Sequence, residues 1–236
     1  MDQLILDVRL PDQAEFSNFV RGRNSETLNA VISHARDRAD PVFWLHGAAA
    51  VGKSHLLLAA CRHVIDSGGE AAFLAASRTP DLSSDAIAEW GGKNLIAIDD
   101  VDRLAGSARW EAALFQLFNT MRDNGNVMLA SAASSPRATN FALRDLASRM
   151  SSGPVYKLKS LTDEERLEAL RVRSSERGFE LPDETGRYLM SRYPRDLSSL
   201  FAVLDKLDNA SLRAQRRVTV PFVKQVLERS SENLDN

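Results

Sequence analysis

The run Gly47-Ala48-Ala49-Ala50-Val51-Gly52-Lys53-Ser54 has the residue types and spacing of a loop that wraps a polyphosphate. Glycines let backbone N–H groups close around phosphate oxygens, Lys53 reaches the β/γ-phosphates, and the Ser54 hydroxyl is a hard oxygen ligand for Mg²⁺. His55 follows directly, and Ser54-His55-Leu56-Leu57-Leu58-Ala59-Ala60-Cys61 opens a helix whose positive end faces the same anion. A second signal is Ile98-Asp99-Asp100, where two carboxylates close an apolar run. At the C-terminal edge of an open parallel sheet, where ligands bind, Asp99 is expected on the metal side and Asp100 to orient or deprotonate the attacking water. Many ATPases place a longer glutamate at the second position, and an acidic pair after a strand can equally be a plain turn. Ser131, just after a further apolar run, offers the small hydroxyl that a γ-phosphate sensor requires, and strand-terminal serines are also common turn residues.

These side chains need a scaffold that brings distant segments to one edge. Pro41-Val42-Phe43-Trp44-Leu45-His46 reads as a buried strand before the loop, giving the strand, loop, helix order that the motif requires. Residues 71–75, 94–98 and 126–130 read as three more short apolar strands, and 154–158 as a fifth. The intervening stretches are long enough for crossover helices, notably around Trp110-Glu111-Ala112-Ala113-Leu114-Phe115-Gln116-Leu117-Phe118, which predicts a parallel sheet covered on both faces. The texture changes after Ser160. Thr162-Asp163-Glu164-Glu165 is a capping box opening a helix to about Arg177, Gly178 is placed to close it, and two or three amphipathic helices follow, with Pro182 and Pro221 near helix starts. The expected organisation is an N-terminal segment 1–12, an α/β core over 13–160 and an all-helical lid over 161–236.

Composition narrows the function classes. With 236 residues, 44% hydrophobic and 26% charged, and a formal charge of −2, the chain can bury a substantial core and carries no global basic field for nucleic acid. The single cysteine, Cys61, lies in an apolar helical stretch and reads as a small buried hydrophobe. No basic leader and no apolar run near the about 18 residues of a membrane span are present, so the expected location is the cytoplasm. The short basic run Arg213-Ala214-Gln215-Arg216-Arg217 reads as a solvated helix end.

With the phosphate loop, the Asp99-Asp100 pair and a helical lid carrying Arg195, the chain resembles the AAA+ ATPases of the DnaA replication-initiator group over nearly its whole length. Within that group it is most similar to the Hda subfamily, the regulatory inactivators of DnaA. The resemblance implies an AAA+ core with a lid, bound ADP or ATP with Mg²⁺, and DnaA as partner. It makes Arg149 the arginine finger, Arg195 the lid sensor arginine, and Phe16, Phe19, Gly22 and Asn24 the segment against the nucleobase. Gln3-Leu4-Ile5-Leu6 resembles the glutamine-leucine motif that docks on the DNA-polymerase sliding clamp, with Gln3 as handle and Leu4 and Leu6 in apolar pockets; on pattern alone it is also an edge strand. DNA would then be reached through the clamp. A finger inserted beside the γ-phosphate of a neighbouring DnaA stabilises charge developing in phosphoryl transfer, an effect worth about 10³ to 10⁵ in rate.

An initiator proper carries a DNA-reading helix-turn-helix beyond its lid, whereas this sequence runs to Asn236, so the expectation is a negative regulator of initiation rather than a DNA reader. The sequence also departs from the group. Ala132-Ala133-Ser134-Ser135 stands where relatives carry an acidic-basic pair, and Met150-Ser151-Ser152 replaces the aromatic that often follows the finger. The alternative is a self-contained ATPase, such as a helicase loader or transposition helper, which intact Lys53, Ser54, Asp99 and Asp100 would serve. Sites of this class lie between subunits, so a homodimer or higher oligomer is compatible with the sequence.

Overall fold

The computed structural model describes residues 14–77, 83–214 and 217–232. Gln3, Leu4 and Leu6 lie outside them. The chain divides into two compact units, residues 1–160 and 161–236.

The first unit is built on five parallel strands in the order β2-β3-β4-β1-β5: β1 Val42–His46, β2 Ala71–Ala75, β3 Leu95–Asp99, β4 Val127–Ala132 and β5 Val155–Lys157. β1, β3 and β4 are continuous apolar runs because both faces are covered, and alternate residues enter opposite cores. Val42, Trp44, Ile96, Ile98, Met128 and Ala130 join Leu114, Leu117, Phe118 and Met121 of helix α3, Ala108–Asp123, and Leu146 and Met150 of α4, Arg144–Met150. Phe43, Leu45, Leu95, Ala97, Val127 and Leu129 face helices α1, Ser25–Asp37, and α2, Lys53–Asp66. Cys61 is buried in that second core. The long stretch between β2 and β3 is covered by a 3₁₀ segment, Ser84–Gly92.

Strand order decides what meets at the sheet's C-terminal edge. β4 lies between β1 and β3, with Leu45 beside Ser131 and Ile98 beside Ala130. The loop after β1, the acidic pair ending β3 and the hydroxyl near the end of β4 therefore converge from three adjacent strands.

The second unit is helical in its described residues: α5 Asp163–Glu176, α6 Asp183–Arg192, α7 Leu197–Ala214 and α8 Val220–Glu232. Thr162 and Glu165 form a complete capping box, the Thr162 hydroxyl accepting from Glu165 N at 3.2 Å and the Glu165 carboxylate accepting from Thr162 N at 2.7 Å. Gly178 takes a left-handed φ of 81° just beyond α5, and Pro182 and Pro221 stand at the starts of α6 and α8. A separate core of Leu167, Leu170, Leu189, Leu200, Leu204, Leu207 and Val223 holds the four helices together.

Candidate nucleotide site

The loop 47–52 leaves β1 at Gly47 and enters α2 at Lys53. Its curvature depends on left-handed backbone at Ala50, φ 56°, and Gly52, φ 103°. A Cβ at Gly52 would sit 2.9 Å from Phe19 Cε2, and one at Gly47 would sit 2.6 Å from the Leu158 carbonyl oxygen. Both glycines are thus fixed by close approach, one to a ring and one to the backbone beyond β5. Lys53 is buried, and its ammonium donates to the carbonyl oxygens of Gly47, at 3.1 Å, and Ala48, at 3.0 Å. Ser54 is exposed, while its Oγ donates to Asp99 Oδ2 at 2.6 Å.

Asp99 lies inside β3 rather than after it, and Ser131 lies inside β4 rather than just beyond it; the two strands end one and two residues beyond the apolar runs, where their terminal polar atoms are paired across the sheet. The fully buried Ser131 hydroxyl donates to Asp99 Oδ1 at 2.5 Å and accepts from Asp100 N at 3.0 Å. A hydroxyl has one hydrogen to give, so contact between Ser131 and a phosphate requires exchange of the Asp99 bond. Asp100 takes a left-handed φ of 53°. Burial, then the adjacent Asp99 charge, raise its proton affinity above that of an ordinary aspartate, with Lys53 acting the other way. Two residues on, Asp102 Oδ2 accepts from Ala133 N at 3.1 Å, tying the turn after the acidic pair to the end of β4 in the Ala132-Ala133-Ser134-Ser135 stretch.

The donor set fits a small hard cation. One hydroxyl and one carboxylate, Ser54 and Asp99, stand together, and no group of three or more His, Cys, Asp or Glu side chains that could cage a metal occurs among the described residues. Mg²⁺ is commonly held in this way, by one or two protein oxygens with phosphate and water completing its octahedron.

The segment before α1 packs over the loop. Phe19 is buried against the His55 ring, with centroids 5.7 Å apart, and His55 Nε2 lies 2.9 Å from the Glu15 carbonyl oxygen. Burial lowers the His55 proton affinity, so the neutral ring is favoured. Both polar atoms of the Asn24 side chain are used: its nitrogen donates to Lys159 O at 2.9 Å and its oxygen accepts from Lys159 N at 2.8 Å. That pairing gives Asn24 a framework role, joining the start of α1 to the segment after β5, beside the nucleobase contact the resemblance implies.

Arg149 stands in the last turn of α4, half-buried, with its guanidinium carbon 6.0 Å from the centroid of the Phe118 ring. Arg195 stands two residues before α7, and Asp196 occupies the capping position, its Oδ1 accepting from Ser199 N at 2.8 Å. The Arg195 guanidinium is exposed and paired with Asp163 at 3.1 Å, an exchangeable surface contact worth about 0–1 kcal/mol. Sequence reasoning did not single out Glu111. Its signal is a carboxylate on the stripe otherwise made by Leu114, Phe118 and Met121, which the structure buries to 1% exposure.

Domain III of the replication initiation protein DnaA from Thermotoga maritima has the same fold, with a TM-score of 0.78 at 23% identity over 92% of this chain and 96% of that one. A replication initiator DnaA bound to AMPPCP and single-stranded DNA superposes with a TM-score of 0.74 at 19% identity, over 88% and 70% of the two chains. The RuvB Holliday junction branch migration motor of Thermotoga maritima is more distant, at 0.64 and 17% over 86% and 67%. Sheet order, phosphate loop and helical second unit together make the AAA+ fold that these structures share. Residues 163–227 match the family model described as the lid domain of Hda, on a chain that has the fold of DnaA domain III. No helix among the described residues is long and apolar enough to cross a membrane.

Proposed function

We propose that this protein is a cytoplasmic negative regulator of replication initiation, which holds adenine nucleotide in its own site and supplies Arg149 to ATP bound by DnaA. The observation that carries this reading is the match of residues 163–227 to the Hda lid, on a core that shares the DnaA fold. Adenine nucleotide as ligand is supported by the relative that binds AMPPCP and by the phosphate loop itself.

Lys53 would exchange its two carbonyl partners for β- and γ-phosphate oxygens as the loop N–H groups close on them. Ser54 and Asp99 would hold Mg²⁺, which supplies neutralisation of phosphate charge when bound. Asp100, with its raised proton affinity, is suited to accept a proton from water, and Arg195 is free to leave a weak surface ion pair for phosphate. Arg149 acts in trans: its aromatic support orders a long side chain before encounter, which reduces the entropy lost on insertion. The clamp contact through Gln3, Leu4 and Leu6 would concentrate the protein beside its target on DNA, and self-association into a homodimer or higher oligomer belongs to the same proposal.

The test is hydrolysis of ATP preloaded on DnaA, with clamp loaded on DNA, comparing the intact protein, Arg149→Ala, and a variant with Gln3 and Leu4 both changed to alanine. Stimulation by the intact protein alone is expected. Brisk hydrolysis by this chain without DnaA, or equal behaviour of all three, would replace the regulator with a self-contained ATPase.

A further inference from the structure

Glu111 spends a buried carboxylate on backbone alone. Its Oε1 accepts from Gly106 N at 2.6 Å and Ala142 N at 3.0 Å, and its Oε2 accepts from Leu143 N at 2.6 Å. Gly106 belongs to the turn after the 3₁₀ segment Val101–Leu104, which directly follows the Asp99-Asp100 pair. Ala142 and Leu143 are the last residues before α4, the helix that ends with Arg149 and Met150. One side chain therefore joins the segment leaving the acidic pair to the entrance of the arginine's helix.

Seven residues along α3, two helical turns on the same face, Phe118 lies beneath the Arg149 guanidinium. Between them Leu114 and Leu117 share a core with Leu146 and Met150 of α4. Arg149 is thus placed from both ends of a seven-residue helix, too short to hold a fixed orientation by its own hydrogen bonds. The acceptor arrangement demands a carboxylate. A carboxylate is acceptor-only with about four lone-pair sites, whereas an amide of the same shape would turn N–H donors toward one of these N–H groups.

We propose that Glu111 is a positioning residue for Arg149: one face of α3 templates α4, with Glu111 fixing its entrance and Phe118 its last turn. This rests on the reading of Arg149 as the finger. It assigns Glu111 no contact with nucleotide, and its effect is transmitted through where Arg149 stands.

The experiment titrates DnaA carrying ATP with this protein and with Glu111→Gln, Arg149→Ala and the double variant, on loaded clamp. A misplacement near 1 Å costs on the order of 10²-fold in rate, so Glu111→Gln should lower the plateau rate about 10-fold or more while leaving the half-saturating concentration unchanged. Val31→Ala, in the core on the opposite sheet face, controls for general loss of stability and should leave the plateau intact. Adding Glu111→Gln to Arg149→Ala should produce no further loss, since both act through one guanidinium. A normal plateau in Glu111→Gln, or losses that add in the double variant, would overturn the proposal. If intact protein and Arg149→Ala give equal rates, the finger reading is what has failed, and amide exchange over residues 142–150 decides the templating. Faster exchange in Glu111→Gln than in Val31→Ala upholds it; equal exchange overturns it.

Discussion

Ser131 and Asp99 share a 2.5 Å hydrogen bond between β4 and β3, and the same Ser131 oxygen accepts the backbone N–H of Asp100. One buried hydroxyl thereby fixes the Asp99 carboxylate and the left-handed turn that follows it. Ser131→Ala removes both partners at once. Leaving buried polar groups unpaired costs about 1–3 kcal/mol, so urea unfolding should shift by that amount. Mg²⁺-dependent nucleotide binding should weaken with it, because Asp99 loses its orientation. Unchanged stability together with unchanged binding would show that the pair contributes to neither.

Gly52→Ala should abolish nucleotide binding. The position combines a φ of 103° with a Cβ path that ends 2.9 Å from the Phe19 ring, so substitution strains the loop and displaces the segment above it. Strained backbone of this kind costs about 1–3 kcal/mol. Gly68→Ala is the matched control: its φ is 81°, but nothing lies within 4 Å of the added carbon. Titration with a fluorescent ADP analogue should give no binding for the first and ordinary binding for the second.

Asp100→Asn should stabilise the protein at neutral pH. In the folded state burial, then Asp99, hold the Asp100 carboxyl above its ordinary range. A carboxylate raised in this way is a burden when ionised: the penalty is complete above the folded-state value and disappears as pH falls through it to the unfolded value. Asparagine removes the charge and accepts the φ of 53° at this position. Thermal melts should therefore favour the variant at neutral pH, with the advantage shrinking in acid. The reverse trend would contradict this electrostatic account.

Cys61 should resist thiol reagents in the native protein. Burial pushes its thiol up to about 12, and the thiolate is the reactive form. Modification at neutral pH should proceed at the rate of unfolding and reach one equivalent in denaturant, matching the single cysteine. Rapid labelling of folded protein would mean that α2 opens locally.

The strands of the core were legible because doubly covered parallel strands read as plain apolar runs, and Gly47 to Ser54 identifies the loop by residue type. What escaped was pairwise. Asp99 and Ser131 fall within β3 and β4 because they bond to each other, a relation that exists only once sheet order brings residues 32 positions apart side by side. α1 is signalled weakly, since its buried stripe of Thr27, Leu28, Val31, His34 and Ala35 includes two polar members. Glu111 stands where a pattern of 3.6 residues calls for an apolar side chain, and its meaning depends on loop N–H groups supplied from elsewhere. The lid announced itself through local chemistry, since Thr162 and Glu165 need only three residues of separation to cap a helix.

Asn24 and Lys159 are joined by two antiparallel hydrogen bonds although 135 positions separate them. Mechanically, they act as a clasp. Tension applied between these two points loads both bonds together, so the clasp should open in a single rupture. Single-molecule pulling from these positions would register that event as one peak, absent in Asn24→Ala.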